Sequence, residues 1–148
     1  MPTQQFVTFD VEDQFFGVPV GVVQEVLLNE SYTPMPFAPV GYGGLFNLRG
    51  EVIGTVDLRV RFGLPARVVS GAVINVVVLT AGEPVSLLVD KIGLVAEIDD
   101  VLFEPKPETL TGPTRDLVVG TYRTDGRLLV ILNVEGCINT SGTAESER

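Results

Sequence analysis

Apolar residues come along this chain in runs of about four to seven, many of them alternating with polar positions, and Gly, Pro or a charge closes each run. A period of two places every second side chain on one face of an extended strand, and β-branched and aromatic residues fill these runs. Ten segments are predicted as strands: QFVTFDV from Gln5, QFFGVPV from Gln14, SYTPMP from Ser31, GGLFNL from Gly43, EVIGTVD from Glu51, AVINVVVLT from Ala72, EPVSLLVD from Glu83, LVAEID from Leu94, LVVGTYRT from Leu117 and RLLVILN from Arg127. Helices are expected only as single turns, at Val20 to Glu25, Leu58 to Phe62 and Val134 to Ile138, each too short to form without tertiary packing. TPMPFAPVG from Thr33 and FEPKPETLTGP from Phe103 carry a proline every few residues and read as extended surface connections. The last nine residues, TSGTAESER, hold no apolar anchor and read as a flexible acidic tail, residues 140–148.

Two blocks of sequence recur in the same order. VGVVQEV from Val20 aligns with IGLVAEI from Ile92, and GLFNLRGEVIGTVDL from Gly44 aligns with GTYRTDGRLLVILNV from Gly120, at separations of roughly 72 to 76 positions. The second pairing matches Gly44 with Gly120, Gly50 with Gly126 and Asp57 with Asn133. Duplication implies two similar β units of about five strands each, a number that suits a small closed barrel better than a flat sheet with bare edges. Residues 1–139 are therefore expected to form one domain of two barrel subdomains, about 15–80 and about 85–139, the N-terminal strand being open to exchange between them. The seam between two such units is a natural place for a binding groove.

Composition narrows the function. Nineteen acidic residues against ten basic ones give a net charge of -9, which repels phosphate backbones and anionic lipid, so no nucleic-acid partner is expected. No apolar run approaches the roughly 18 residues of a membrane helix, and the amino terminus lacks an export signal. A cytoplasmic protein without membrane insertion, monomeric when free, is the expectation. His is absent, which removes the commonest general base and metal ligand. The single cysteine, Cys137, stands in an apolar setting and reads as a buried structural thiol. No catalytic residue, metal ligand or cofactor site is assigned. The enzyme alternative would rest on Asp57, Asp90, Asp99 and Asp100, but Asp57 and Asn133 hold the same place in the repeat and fit a repeated helix cap better.

One local rule is broken. The second unit turns at Asp125-Gly126, the residue types expected where both turn positions need positive φ. The aligned pair in the first unit is Arg49-Gly50. Arginine does nothing for such a turn, and lapses in local consistency gather at functional sites. A cationic fork at a loop tip of an acidic protein suits a carboxylate or a helix C-terminus on a partner.

With these motifs the sequence resembles the CheW-like coupling proteins of bacterial chemotaxis. The resemblance runs from about Phe6 to Ile138 and rests on FFGVPVGVVQEVL, TPMPFAP, NLRGEVIGTVDLRVRFGLP, VSLLVDKIGLVAEI and DGRLLVILNVEGCI. It implies an all-β fold of two intertwined SH3-like five-stranded barrels with a few short helices. It also implies a non-catalytic adaptor that couples methyl-accepting chemoreceptors to the regulatory domain of the CheA histidine kinase and is recruited to membrane-associated receptor arrays. Carried over by residue, Arg49 with Asn47, Leu48 and Gly50, and Val23 with Glu25, match receptor-binding positions, while Val89 and Asp90 are assigned to the inter-barrel groove or a kinase contact. Gly54 and Thr55 depart from the usual Pro and Val, which puts the rigidity near Arg49 in question. An adaptor of another kinase pathway, such as pilus-based motility, is the alternative user of the same fold.

Overall fold

The computed structural model describes residues 3–30, 33–34, 42–65, 73–106, 113–124 and 126–138. The strands are β1 (Thr3–Val11), β2 (Gln14–Pro19), β3 (Val23–Glu30), β4 (Thr33–Pro34), β5 (Tyr42–Leu48), β6 (Glu51–Asp57), β7 (Val73–Thr80), β8 (Glu83–Val89), β9 (Lys91–Asp99), β10 (Phe103–Pro105), β11 (Val118–Thr124) and β12 (Arg127–Leu132). Two short helices, α1 (Leu58–Arg61) and α2 (Val134–Ile138), follow β6 and β12, and 3-10 turns lie at Val20–Val22, Asp100–Leu102 and Pro113–Leu117.

The strands form two six-stranded sheets of identical plan. One runs β10-β11-β12-β2-β1-β9 and the other, read in the matching direction, β4-β5-β6-β8-β7-β3. In both, the internal junction is parallel, β12 with β2 and β6 with β8, and every other pairing is antiparallel. The end strands of each sheet are consecutive in the chain: β9 reaches β10 through the turn at Asp100–Leu102, and β4 begins soon after β3 ends. Each sheet must therefore curl until its edges approach, which makes it a barrel whose two end strands act as one bent strand, five strands in effect. We refer to the barrel of residues 23–89 as the continuous barrel and that of residues 3–19 and 91–132 as the split barrel.

Strand registers confirm the repeat. Pro34 faces Gly44 in one barrel and Pro105 faces Gly120 in the other. Bulges fall at Tyr42/Gly44 and at Val118/Gly120. The caps repeat as well: Asp57 accepts a hydrogen bond from the Arg59 amide at 3.1 Å, and the Asn133 side chain accepts one from the Gly136 amide at 3.3 Å.

Three boundaries differ from the sequence reading. The whole N-terminal hairpin, β1 and β2, pairs with the C-terminal strands, where the exchange of one strand was expected. The changeover between sheets lies at Asp90, because residues 80–83 form the tight turn of the β7–β8 hairpin, with Ala81 and Gly82 both at positive φ. The turn expected across Val20 to Glu25 stops at Val22, and the β-branched residues that follow extend into β3. The tail, most of the two proline-rich connections and Asp125 lie outside the described residues.

Each barrel has its own core, Phe46, Leu48, Ile53 and Val77 in the continuous one and Phe6, Ile98, Tyr122, Leu129 and Ile131 in the split one. A larger third cluster is shared, with Phe9, Phe16 and Val18 from one sheet and Val56, Val76 and Leu87 from the other. Cys137 lies in this shared core, fully buried, and burial pushes its thiol up to about 12. Burial of apolar surface common to both sheets is what fixes one barrel on the other.

Candidate functional site

The β5–β6 hairpin carries its strain at the tip. Arg49 sits at φ 51° and Gly50 at φ 87°, so arginine occupies the left-handed conformation that its turn partner adopts freely. Neighbours hold it there. Leu48 is buried in the core of the continuous barrel, and the Asn47 side chain accepts a hydrogen bond from the Gly50 amide at 3.0 Å, closing the turn from within. Thr55 stiffens the base of the same hairpin, because its buried hydroxyl donates to the Gly44 carbonyl at 3.1 Å, beside the bulge. The departure at Thr55 thus ties the hairpin down.

The Arg49 guanidinium forks onto Glu25 of β3, with Nη1 to Oε1 at 2.6 Å and Nη2 to Oε2 at 2.8 Å. Parallel donors on a planar guanidinium fit the two oxygens of a carboxylate, which fixes orientation as well as attraction. The hydrogen bonds from Arg49 hold the Glu25 carboxyl below its ordinary range, and the same bonds raise the guanidinium's pKa. The Arg49 side chain nevertheless stays 68% exposed while that of Glu25 is 20% exposed. Glu25 clamps one edge of the fork and leaves the remaining N–H donors facing outward.

A bulge in β3 between Val23 and Glu25, where Val23 faces Val78 and Glu25 faces Val77, re-aims Glu25 relative to a regular strand. Val23 itself is partly buried against the shared core. Of the positions assigned to receptor binding, Arg49, Asn47, Gly50 and Glu25 meet at one exposed tip, while Leu48 and Val23 support it from beneath.

Val89 and Asp90 stand elsewhere. Val89 is 1% exposed and fills the core shared by the two sheets, so its side chain lies between the barrels and offers no surface for a kinase to touch directly. A continuous apolar run, Leu87 to Val89, is the mark of a strand covered on both faces and already pointed inward. Asp90 is engaged by Arg59 of α1, with Nε to Oδ1 at 3.1 Å and Nη2 to Oδ2 at 2.9 Å. Arg59 also reaches Glu12, in the β1–β2 turn, at 3.1 Å, and Asp90 accepts from the Glu12 amide at 2.7 Å. This cluster joins the continuous barrel to the split one. The other carboxylates weighed for catalysis are dispersed: Asp57 caps α1, Asp99 caps the turn at Asp100–Leu102, and Asp100 lines a cleft of the split barrel.

Sequence reasoning did not single out the exposed apolar residues of β9, Leu94 at 86% and Val95 at 57% exposure. Their signal was present in LVAEID, where two adjacent apolar residues cannot both face inward from one strand.

The model of the CheW-like domain matches residues 5–141. The chain is 30% identical to the chemotaxis protein CheW of Helicobacter pylori over 131 residues, 88% of this chain and 79% of that protein. It is 29% identical to the chemotaxis protein CheW of Rhizobium meliloti over 132 residues, 89% of this chain and 85% of that one. The crystal structure of the scaffolding protein TtCheW from Thermoanaerobacter tengcongensis matches at a TM-score of 0.79 and 32% identity, covering 90% of each chain, and it shares the two-barrel SH3-like arrangement. By this match across nearly its whole length, the chain belongs to the CheW-like domain family.

Proposed function

We propose that this protein is a non-catalytic adaptor of bacterial chemotaxis, which couples chemoreceptors to the CheA histidine kinase by holding both against a rigid doubled barrel. The Arg49 tip is the charged anchor for a receptor helix, with Asn47, Gly50 and Glu25 shaping it. The exposed apolar residues of β9 supply the desolvated part of the contact, since interfaces combine an apolar centre with a few decisive charges. The kinase contributes a similar regulatory domain that pairs barrel to barrel with this one.

The observation that carries the reading is the tip itself. A strained backbone position is kept for an arginine that projects into solvent, although asparagine or glycine would satisfy the turn. No helix among the described residues is long and apolar enough to cross a membrane, so recruitment to receptor arrays would proceed through such contacts.

Co-sedimentation with a receptor cytoplasmic fragment and the kinase tests the proposal. Wild-type protein is expected in the pellet of the three-part assembly, with Arg49→Glu in the supernatant although still folded, its thermal midpoint lowered by no more than a few °C because it loses the pair with Glu25 and keeps the backbone strain. Pelleting of Arg49→Glu at wild-type levels would refute the assigned role.

A further inference from the structure

Two bulges occupy the same place in the two barrels. In β3, Val23 faces Val78 and Val26 faces Val76, so the two residues between them, Gln24 and Glu25, share the single residue Val77 across the ladder. In β9, Ile92 faces Phe9 and Val95 faces Val7, so Gly93 and Leu94 share Thr8. An extra residue of this kind bends a strand and re-aims a side chain. One bulge delivers Glu25 to Arg49, and the other carries Leu94 almost fully into solvent. Val23 and Ile92, the last residues before each bulge, both pack on the core shared by the sheets, so the two displayed side chains stand beside the seam between the barrels.

Thr8 holds the second bulge. Its hydroxyl donates to the Leu94 carbonyl at 2.5 Å, and a Cβ at Gly93 would lie 2.5 Å from that same hydroxyl oxygen, so glycine leaves the room for the bond. The continuous barrel shows what packing alone selects at this place. Thr55 aligns with Ile131 in the repeat, and they face Ser86 and Gly17 across the parallel junctions. Ser86 in turn faces Val77, while Gly17 faces Thr8. Val77 and Thr8 are therefore equivalent, and both are buried. Valine serves the core of one barrel where the other keeps a hydroxyl, and burying a hydroxyl costs free energy that its hydrogen bond does little more than offset. Stability gives little reason for threonine here; the direction of Leu94 does.

We infer that Thr8 is a positioning residue for partner recognition: through the bulge it holds Leu94 outward as the apolar anchor for an amphipathic helix whose carboxylate engages Arg49. The inference rests on the adaptor reading above and adds to it the partner's chemistry, an apolar side chain for Leu94 and an acidic group for the fork. An interface uses both, since apolar contact forms its desolvated centre and charge fixes the register. Val95, beside the bulge and exposed, widens the apolar contact. A fixed backbone matters because an anchor already in place loses less freedom on binding.

Affinity for a receptor cytoplasmic fragment, measured beside the thermal midpoint of the full-length protein, tests the inference. Leu94→Ser removes the anchor from the surface and is expected to weaken binding about tenfold, with the midpoint near wild type. Thr8→Val keeps the buried volume and loses the hydrogen bond; it is expected to weaken binding about fivefold. Thr8→Ser keeps the hydroxyl and loses a methyl group, so it is expected to bind as wild type although it is less stable. Weakened binding by Thr8→Ser with full binding by Thr8→Val would make Thr8 a packing residue and overturn the inference. Arg49→Glu separates this inference from the reading it rests on. If Arg49→Glu alone loses binding, the inference falls and the adaptor reading stands; if wild type itself does not bind the fragment, both fall.

Discussion

At Arg49 two local terms oppose each other. A non-glycine residue in the left-handed region costs roughly 1 kcal/mol or more, while an ion pair as open to solvent as this one is screened by water and returns little. The pair with Glu25 therefore at most offsets the backbone strain at Arg49, which leaves stability a poor reason for the arginine. The titration of Glu25 follows from the geometry. Its carboxyl is lowered from 4.5 in the folded protein, so the pair's contribution is present above that value and fades as pH falls through the lowered one. Carbon-detected NMR titration of the Glu25 carboxyl is expected to give a midpoint below 4.5 in wild type and a higher one in Arg49→Ala. An unmoved midpoint would show that the fork is not formed in solution. The sequence singled out Arg49 because its counterpart in the repeat is an ordinary Asp-Gly turn. It could not supply the partner, because Glu25 is 24 positions away and reaches Arg49 only once β3 and the hairpin are folded side by side.

Among elements, what was legible depended on how local the cause was. The hairpins β5–β6, β7–β8 and β11–β12 and the helices α1 and α2 are written in alternation, turn residues and caps, and they lie where the sequence placed them. β10 was missed because three residues ending in a proline hold no pattern; Phe103 to Pro105 become a strand by pairing with Tyr122 to Gly120 of β11. That pairing needs Gly120, where a Cβ would run into the Phe103 ring and lie 2.6 Å from the Glu104 carbonyl oxygen. Gly120→Ala is expected to lower stability by about 1–3 kcal/mol, as overpacking does, and to loosen amide protection in Phe103 to Pro105. Full protection in that variant would contradict the account of β10. The repeated caps give a second check. Asp57→Ala and Asn133→Ala are each expected to cost about 1 kcal/mol in chemical denaturation, and a neutral result at both would remove the caps from the explanation of α1 and α2.

For the whole molecule, the duplicated plan was visible as a repeat, but the way the halves interlock was not. Which hairpin completes which barrel is decided by the shared core and by the Arg59 cluster, contacts between residues such as Arg59 and Glu12 that no local pattern connects. Arg59 is raised in pKa chiefly by its hydrogen bonds to Asp90, and its side chain is 24% exposed, so this pairing is better sheltered than the one at the tip. Arg59→Met is expected to cost about 1–3 kcal/mol, or roughly 3–10 °C in thermal midpoint for a chain of this size, and an unchanged midpoint would deny it a part in joining the barrels. The central claim is that the arginine at the hairpin tip is kept for a partner and not for the fold. It is tested most directly by the affinity of Arg49→Asn for a receptor cytoplasmic fragment, because asparagine suits the turn and removes only the cation. The account predicts a thermal midpoint equal to wild type or up to about 3 °C above it, with affinity reduced at least about tenfold, a loss near 1.4 kcal/mol; wild-type affinity in that variant would contradict it.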